Sequence, residues 1–213
     1  MQNNYEILEL FPTPVYTTMI PEKFSKILPW FYKQEMLDTE VDSTNYGSRS
    51  KDSYILNQPE CNTLREFILE NITEYGTQLG YDYESYKLSQ SWVSYKHPGQ
   101  HHTMHSHPNS LISGVFYFGE GSQDTPAIKF HNMISGVNSP YIQAKEIKDK
   151  RNFKYGQKEF SIEFTPGLLL LFPSYLHHSV PVNKSKLTRC SIAFNVVPTI
   201  GLGDESNLTE LKF

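Results

Sequence analysis

The sequence predicts a mainly β chain with helices packed on its N-terminal side. Two observations carry this. Apolar stripes at helical spacing are confined to the part before Gly80, and beyond it short runs rich in aromatic and β-branched residues follow one another, separated by Pro, Gly, Asn and Ser. Size and composition agree. The 213 residues include 13 Phe, 14 Tyr and 2 Trp within a 38% apolar complement, enough for one sizeable core and too apolar for a mainly disordered chain.

In chain order, Pro21 to Leu37 carries Phe24, Ile27, Leu28, Phe31 and Tyr32 at the spacing of one helix face, with Pro21 suited to a first turn. Leu64 to Leu79 forms a clearer stripe of Leu64, Phe67, Ile68, Ile72, Tyr75 and Leu79, and Gly80 stands where a C-terminal cap belongs. The strand-like runs are Ser91 to Lys96, Leu111 to Phe118, Ala127 to Phe130, Phe160 to Phe164, Leu168 to Phe172 and Cys190 to Val197. Many short strands with turn signals predict a sandwich or closed barrel. Asn132 to Gln157 reads as a charged, flexible flap, and the tail from Gly203 as weakly structured. No linker or internal repeat divides the chain, so residues 1–213 read as a single domain, helical to about 80 and β from about 83 to 200.

A net charge of −4 and a pI near 6.1 argue against wrapping nucleic acid by bulk electrostatics. No apolar run approaches the ~20 residues of a membrane span, the longest being Leu168 to Phe172. The first residues lack a basic segment and an uninterrupted apolar one, so no secretory signal is read. Cys61 and Cys190 lie in unrelated contexts and read as reduced thiols of a cytoplasmic protein.

The chemistry gathers in His101-His102-Thr103-Met104-His105-Ser106-His107-Pro108. Residues two apart in an extended segment share a face, so His105 and His107 can reach one ion. His178, beside a later strand-like run, completes a set of three; His177 next to it faces the other way. A lone histidine in a polar loop usually serves solubility, but this grouping suits a facial metal site of the non-haem iron type. Three imidazoles also suit tetrahedral zinc with an activated water. Arg189 opens the run Cys190-Ser191-Ile192-Ala193-Phe194-Asn195, whose inward face should be apolar. A guanidinium there needs an anionic partner, and a carboxylate held bidentately meets that need, with Ser191 on the same face as a further donor.

These residues, together with Leu10-Phe11-Pro12-Thr13-Pro14-Val15-Tyr16, Ser91-Trp92-Val93, Pro98-Gly99, Leu111 to Tyr117 and Leu171 to His178, resemble the 2-oxoglutarate/Fe(II)-dependent oxygenases of bacteria and marine phages, distant relatives of the prolyl hydroxylases. The resemblance runs nearly end to end. It implies a double-stranded β-helix (a jelly-roll, cupin-like core) with iron(II) held by His105, His107 and His178. It further implies that Arg189 and Ser191 bind the distal carboxylate of 2-oxoglutarate, with Tyr95 and Tyr117 as further co-substrate contacts. The implied activity is hydroxylation of a C–H bond with O2, releasing succinate and CO2. The primary substrate is unidentified, a peptide or a small molecule. The setting is the cytoplasm, that of the host for a phage-encoded chain. One departure stands out: the wider superfamily carries His-x-Asp, whereas position 107 is histidine, so less charge is donated to the metal. Two alternatives to an oxygenase are a three-histidine zinc hydrolase or hydratase, and a non-catalytic jelly-roll module with a degenerate site.

Overall fold

The computed structural model describes residues 8–37, 47–133 and 157–212. All but the ends of the Asn132 to Gln157 insertion lies outside the described residues. The strands are β1 (Tyr16–Met19), β2 (Ser48–Arg49), β3 (Tyr86–Lys96), β4 (His102–His105), β5 (Ile112–Phe118), β6 (Ile128–His131), β7 (Glu159–Ile162), β8 (Leu168–Pro173), β9 (His178–Val180) and β10 (Arg189–Pro198). They form a larger sheet in the order β1-β8-β5-β10-β3-β2 and a smaller one in the order β4-β9-β6-β7, with every neighbouring pair antiparallel. This is the jelly-roll arrangement.

The Pro21 to Leu37 stripe is not one helix. It forms a 3-10 segment, Glu22–Ile27, followed by a short helix α1, Leu28–Phe31. Pro29 is the reason: without an N–H it cannot bond the carbonyl four residues back, so the turn tightens and restarts with Pro29 in the first turn of α1. The second helix, α2 (Asn62–Gln78), matches its predicted stripe and buries Leu64, Ile68, Ile72 and Tyr75. Gly80, at φ +77°, gives its N–H to Thr77 O at 3.0 Å, and Tyr81 gives its own to Gly76 O at 3.0 Å. That closes the helix end with the paired bonds a left-handed residue permits.

Both faces of the larger sheet are covered, which is why β5 is buried at every position instead of at alternate ones. On one face Phe116, Phe118, Leu169, Leu171, Ile192, Phe194 and Val93 pack against α2 and Phe31 in a single cluster. On the other, Val115, Tyr117, Leu170 and Phe172 meet Ile128 and Phe130 of the smaller sheet. Gly114 is needed between β5 and β10, because a Cβ there would lie 2.2 Å from Phe194 Cζ. The tail is more ordered than its composition predicts. Leu202 and Leu211 exchange two backbone hydrogen bonds of 2.8 and 2.7 Å, around a turn in which Asp204 accepts from the Ser206 and Asn207 N–H groups. Cys61 and Cys190 are buried free thiols. No helix among the described residues is long and apolar enough to cross a membrane.

Candidate metal centre

Three histidines meet where the two sheets approach at one end. His105 closes β4 and His178 opens β9, directly paired across that ladder. His107 lies just beyond β4, where its N–H bonds Ser174 O at 2.9 Å in the segment joining β8 to β9. Ring centroids are 4.3 Å apart for His105 and His178, 5.2 Å for His105 and His107, and 5.1 Å for His107 and His178. One nitrogen from each ring falls within 4.8 Å of the others, close enough to hold one ion. His177 stands outside this group, as the alternation of side chains requires.

The tautomers fit a metal. His105 Nδ1 faces Thr103 O at 2.9 Å and His178 Nδ1 faces Leu176 O at 2.9 Å. His107 Nδ1 faces Asn195 Oδ1 at 2.6 Å, with Ser113 Oγ at 2.9 Å. Carbonyl and amide oxygens only accept, so Nδ1–H is the donor in each ring and Nε2 keeps its lone pair for a metal. Burial favours the neutral form. It pushes His178 down to about 3 and lowers His105 and His107, against the opposing pull of their hydrogen bonds. A fourth imidazole, His102, packs edge-on against His105 at 4.1 Å and is likewise driven down to about 3 by burial.

Behind His107 runs a chain of polar groups absent from the sequence reading. Ser113 Oγ bonds Asn195 Oδ1 at 3.0 Å and Ser174 Oγ at 2.8 Å, and Ser174 Oγ continues to Ser110 Oγ at 2.9 Å. Ser113 and Asn195 are Cα partners on β5 and β10, so sheet register brings them to one imidazole.

On the same face of β10 as Asn195 lies Arg189, only 3% exposed. Its Nε donates to Pro126 O at 3.1 Å, and its Cζ sits 4.7 Å from the Tyr117 ring centroid. Ser191 and Tyr117 are buried register partners on this face. The Tyr117 hydroxyl is buried with no hydrogen-bond partner among the described residues, and burial raises its pKa against the pull of Arg189. Tyr95 is not brought there. It lies one residue out of phase, on the helix-covered face, where its hydroxyl donates to Phe31 O at 3.2 Å and its ring meets Phe118. Its neighbour Lys96 takes the site-facing position instead, paired in register with Arg189 and 7% exposed.

Residues 90–195, the span from mid-β3 to β10 that builds this site, match the model of the family described as "Putative 2OG-Fe(II) oxygenase". The chain belongs to the 2-oxoglutarate/Fe(II) oxygenase family. It is therefore an oxidoreductase whose cofactors are iron(II) and 2-oxoglutarate. Solved structures share the fold. A 2OG-Fe(II) oxygenase-family oxidoreductase from Burkholderia pseudomallei is 12% identical, with a TM-score of 0.58 over 84% of this chain and 83% of that one. A prolyl-4-hydroxylase from Pseudomonas putida is 14% identical, with a TM-score of 0.56 over 86% and 92%. HygX from Streptomyces hygroscopicus, solved with nickel, 2-oxoglutarate and hygromycin B bound, is 10% identical, with a TM-score of 0.59 over 89% and 84%. No curated protein sequence matches the oxygenase.

Within the oxygenase, the three imidazoles singled out from the sequence lie together and Arg189 is buried. It missed Lys96, Ser113 and Asn195. A signal for Asn195 was present: an amide on the inward phase of a strand that also carries Arg189 and Ser191. None existed for Lys96, whose facing depends on which strand pairs with β10.

Proposed function

We propose that this oxygenase hydroxylates a C–H bond of a peptide or small molecule, with His105, His107 and His178 as the iron ligands and Arg189, Ser191 and Tyr117 at the distal carboxylate of 2-oxoglutarate. The observation that carries the reading is the convergence of three neutral imidazoles, each with Nδ1 engaged, in a chain that also buries a guanidinium without a carboxylate partner among the described residues. Iron bound there supplies dioxygen activation, in which 2-oxoglutarate loses CO2 to become succinate and one oxygen atom enters the C–H bond as hydroxyl. The chain's own residues orient and exclude. Thr103 O, Leu176 O and Asn195 Oδ1 fix the ring planes, and Arg189 holds the far end of the dicarboxylate in a bidentate grip. Val115, Leu170 and Phe172 keep that face free of water. Trp92, in register with Ala193 and 6.3 Å from the His107 ring, offers an apolar wall to the substrate. The two free thiols suit a reducing, cytoplasmic setting.

Adding iron(II) and 2-oxoglutarate to the protein without oxygen should produce a weak visible charge-transfer band that Arg189→Met greatly weakens. Admission of oxygen should then release succinate. An unchanged spectrum in wild type, or one indifferent to Arg189, refutes the assignment.

A further inference from the structure

We propose that Lys96 is a second cation for the co-substrate, so that the distal carboxylate is recognised by a Lys96–Arg189 pair and not by arginine alone. This rests on the 2-oxoglutarate reading above and goes beyond it in naming a residue that sets which 2-oxo acid is accepted.

Lys96 ends β3 and Arg189 begins β10, and the two are Cα partners in the antiparallel ladder. Cross-strand partners project to the same face, here the one lined by Ser191, Tyr117 and Ser113. Both cations are buried, Lys96 at 7% and Arg189 at 3% exposure. Among the described residues the only hydrogen bond of the Lys96 ammonium is to Ser94 Oγ, at 2.9 Å, and Ser94 is itself the register partner of Ser191. Neither cation forms an ion pair with a carboxylate of the described residues. Two like charges placed side by side out of water, without a counter-charge, oppose folding. Such an arrangement persists where an anion completes it.

The donors match a carboxylate in number. Its two oxygens offer about four acceptor sites. Arg189 can fill two, Lys96 a third, and the buried Tyr117 hydroxyl or Ser191 the fourth. A 2-oxo acid lacking the distal carboxylate leaves all of them unanswered, so the pair selects for a dicarboxylate.

The test uses the full chain loaded with manganese(II), which is redox-inert here, and calorimetric titration with 2-oxoglutarate and with 2-oxobutanoate, which has no distal carboxylate. Lys96→Met should weaken 2-oxoglutarate about 10- to 100-fold, the range of a lost charge-assisted hydrogen bond. It should leave 2-oxobutanoate unchanged, and Lys96→Arg should restore most of the loss. The ligand-free Lys96→Met protein should also melt higher than wild type, which a lysine serving the fold would not produce. Lys96→Gln, which keeps a donor for Ser94, is read in the same way should the methionine variant not fold. If Arg189→Met loses 2-oxoglutarate while Lys96→Met binds it like wild type, the co-substrate reading stands and the pair does not. Equal losses for both acids, or a lower melting point, assign Lys96 to the fold and overturn the proposal. Failure of the wild type to bind 2-oxoglutarate removes the site reading itself.

Discussion

Raising the pH should stabilise the ligand-free protein relative to its Lys96→Met variant, by an amount that follows from the burial of one ammonium group. Desolvation, helped by the Arg189 charge, lowers Lys96 from 10.5 to about 8. The sign follows from the depressed value. Below about 8 the lysine is protonated whether folded or unfolded, and the whole cost of burying the charge is present. Between 8 and 10.5 the unfolded chain still holds a proton that the folded one has lost, so stability rises with pH across that window. At ~1.4 kcal/mol per pK unit the full recovery is roughly 3 kcal/mol, most of it regained by pH 10. Urea unfolding of wild type and Lys96→Met at pH 7 and pH 10 measures this directly, because other titrations cancel in the difference. Methionine should be the more stable at pH 7, with the gap closing by roughly 2–3 kcal/mol at pH 10. Saturating manganese(II) and 2-oxoglutarate should flatten the dependence by giving the ammonium its counter-ion. Parallel pH profiles for the two proteins without ligand would refute the claim that Lys96 is a buried, unpaired cation.

Other perturbations separate the parts of the site. Asn195→Ala removes the acceptor that aims His107 and should weaken manganese(II) or zinc(II) binding ~10- to 100-fold, read by titration, with the fold retained by circular dichroism. Tyr117→Phe should weaken 2-oxoglutarate ~2- to 10-fold, as for one neutral hydrogen bond, whereas Tyr95→Phe, on the far face, should leave its affinity unaltered in the same titration. Gly114→Ala forces a Cβ against Phe194 and Leu171 and should lower stability by ~1–3 kcal/mol in urea unfolding. An unshifted midpoint would show that the Phe194 ring can move aside.

The fold was legible wherever a strand is made of bulky residues with both faces covered. β5, β8 and β10 read as strands because Phe, Leu, Ile and Val recur in them without a helical period. β4 and β9 did not, since His-Thr-Met-His and His-Ser-Val have little intrinsic preference and owe their strand form to pairing with each other. β1 was hidden for a similar reason: Tyr16 to Met19 follows closely on Pro12 and Pro14 and becomes a strand only against Leu168 to Leu171. In the site, the histidines and Arg189 were visible because their chemistry is out of place in an apolar strand context. Tyr95 and Lys96 could not be told apart. They are neighbours, and a strand turns successive side chains to opposite faces, so the choice between them is one of parity. Parity here is fixed by the Arg189–Lys96 pairing, a contact between segments far apart in sequence.

The absence of a carboxylate at position 107 and the presence of Lys96 have a common electrostatic consequence. Every group supporting the three imidazoles is neutral: Thr103 O, Leu176 O, and Asn195 where an aspartate would have made the imidazole a stronger donor. Thus, with the proposed ligands, no negative charge of the described residues would offset the metal, and none offsets Arg189 or Lys96 through an ion pair. The compensating charge has to arrive with the ligands, and 2-oxoglutarate brings two negative charges, one for each end of the site. A site so built should hold its co-substrate by charge more than by apolar contact, and because that charge is buried, added salt should screen it only weakly. The same imbalance that loosens the empty fold then becomes the main source of selectivity for a dicarboxylate over any neutral or singly charged 2-oxo acid.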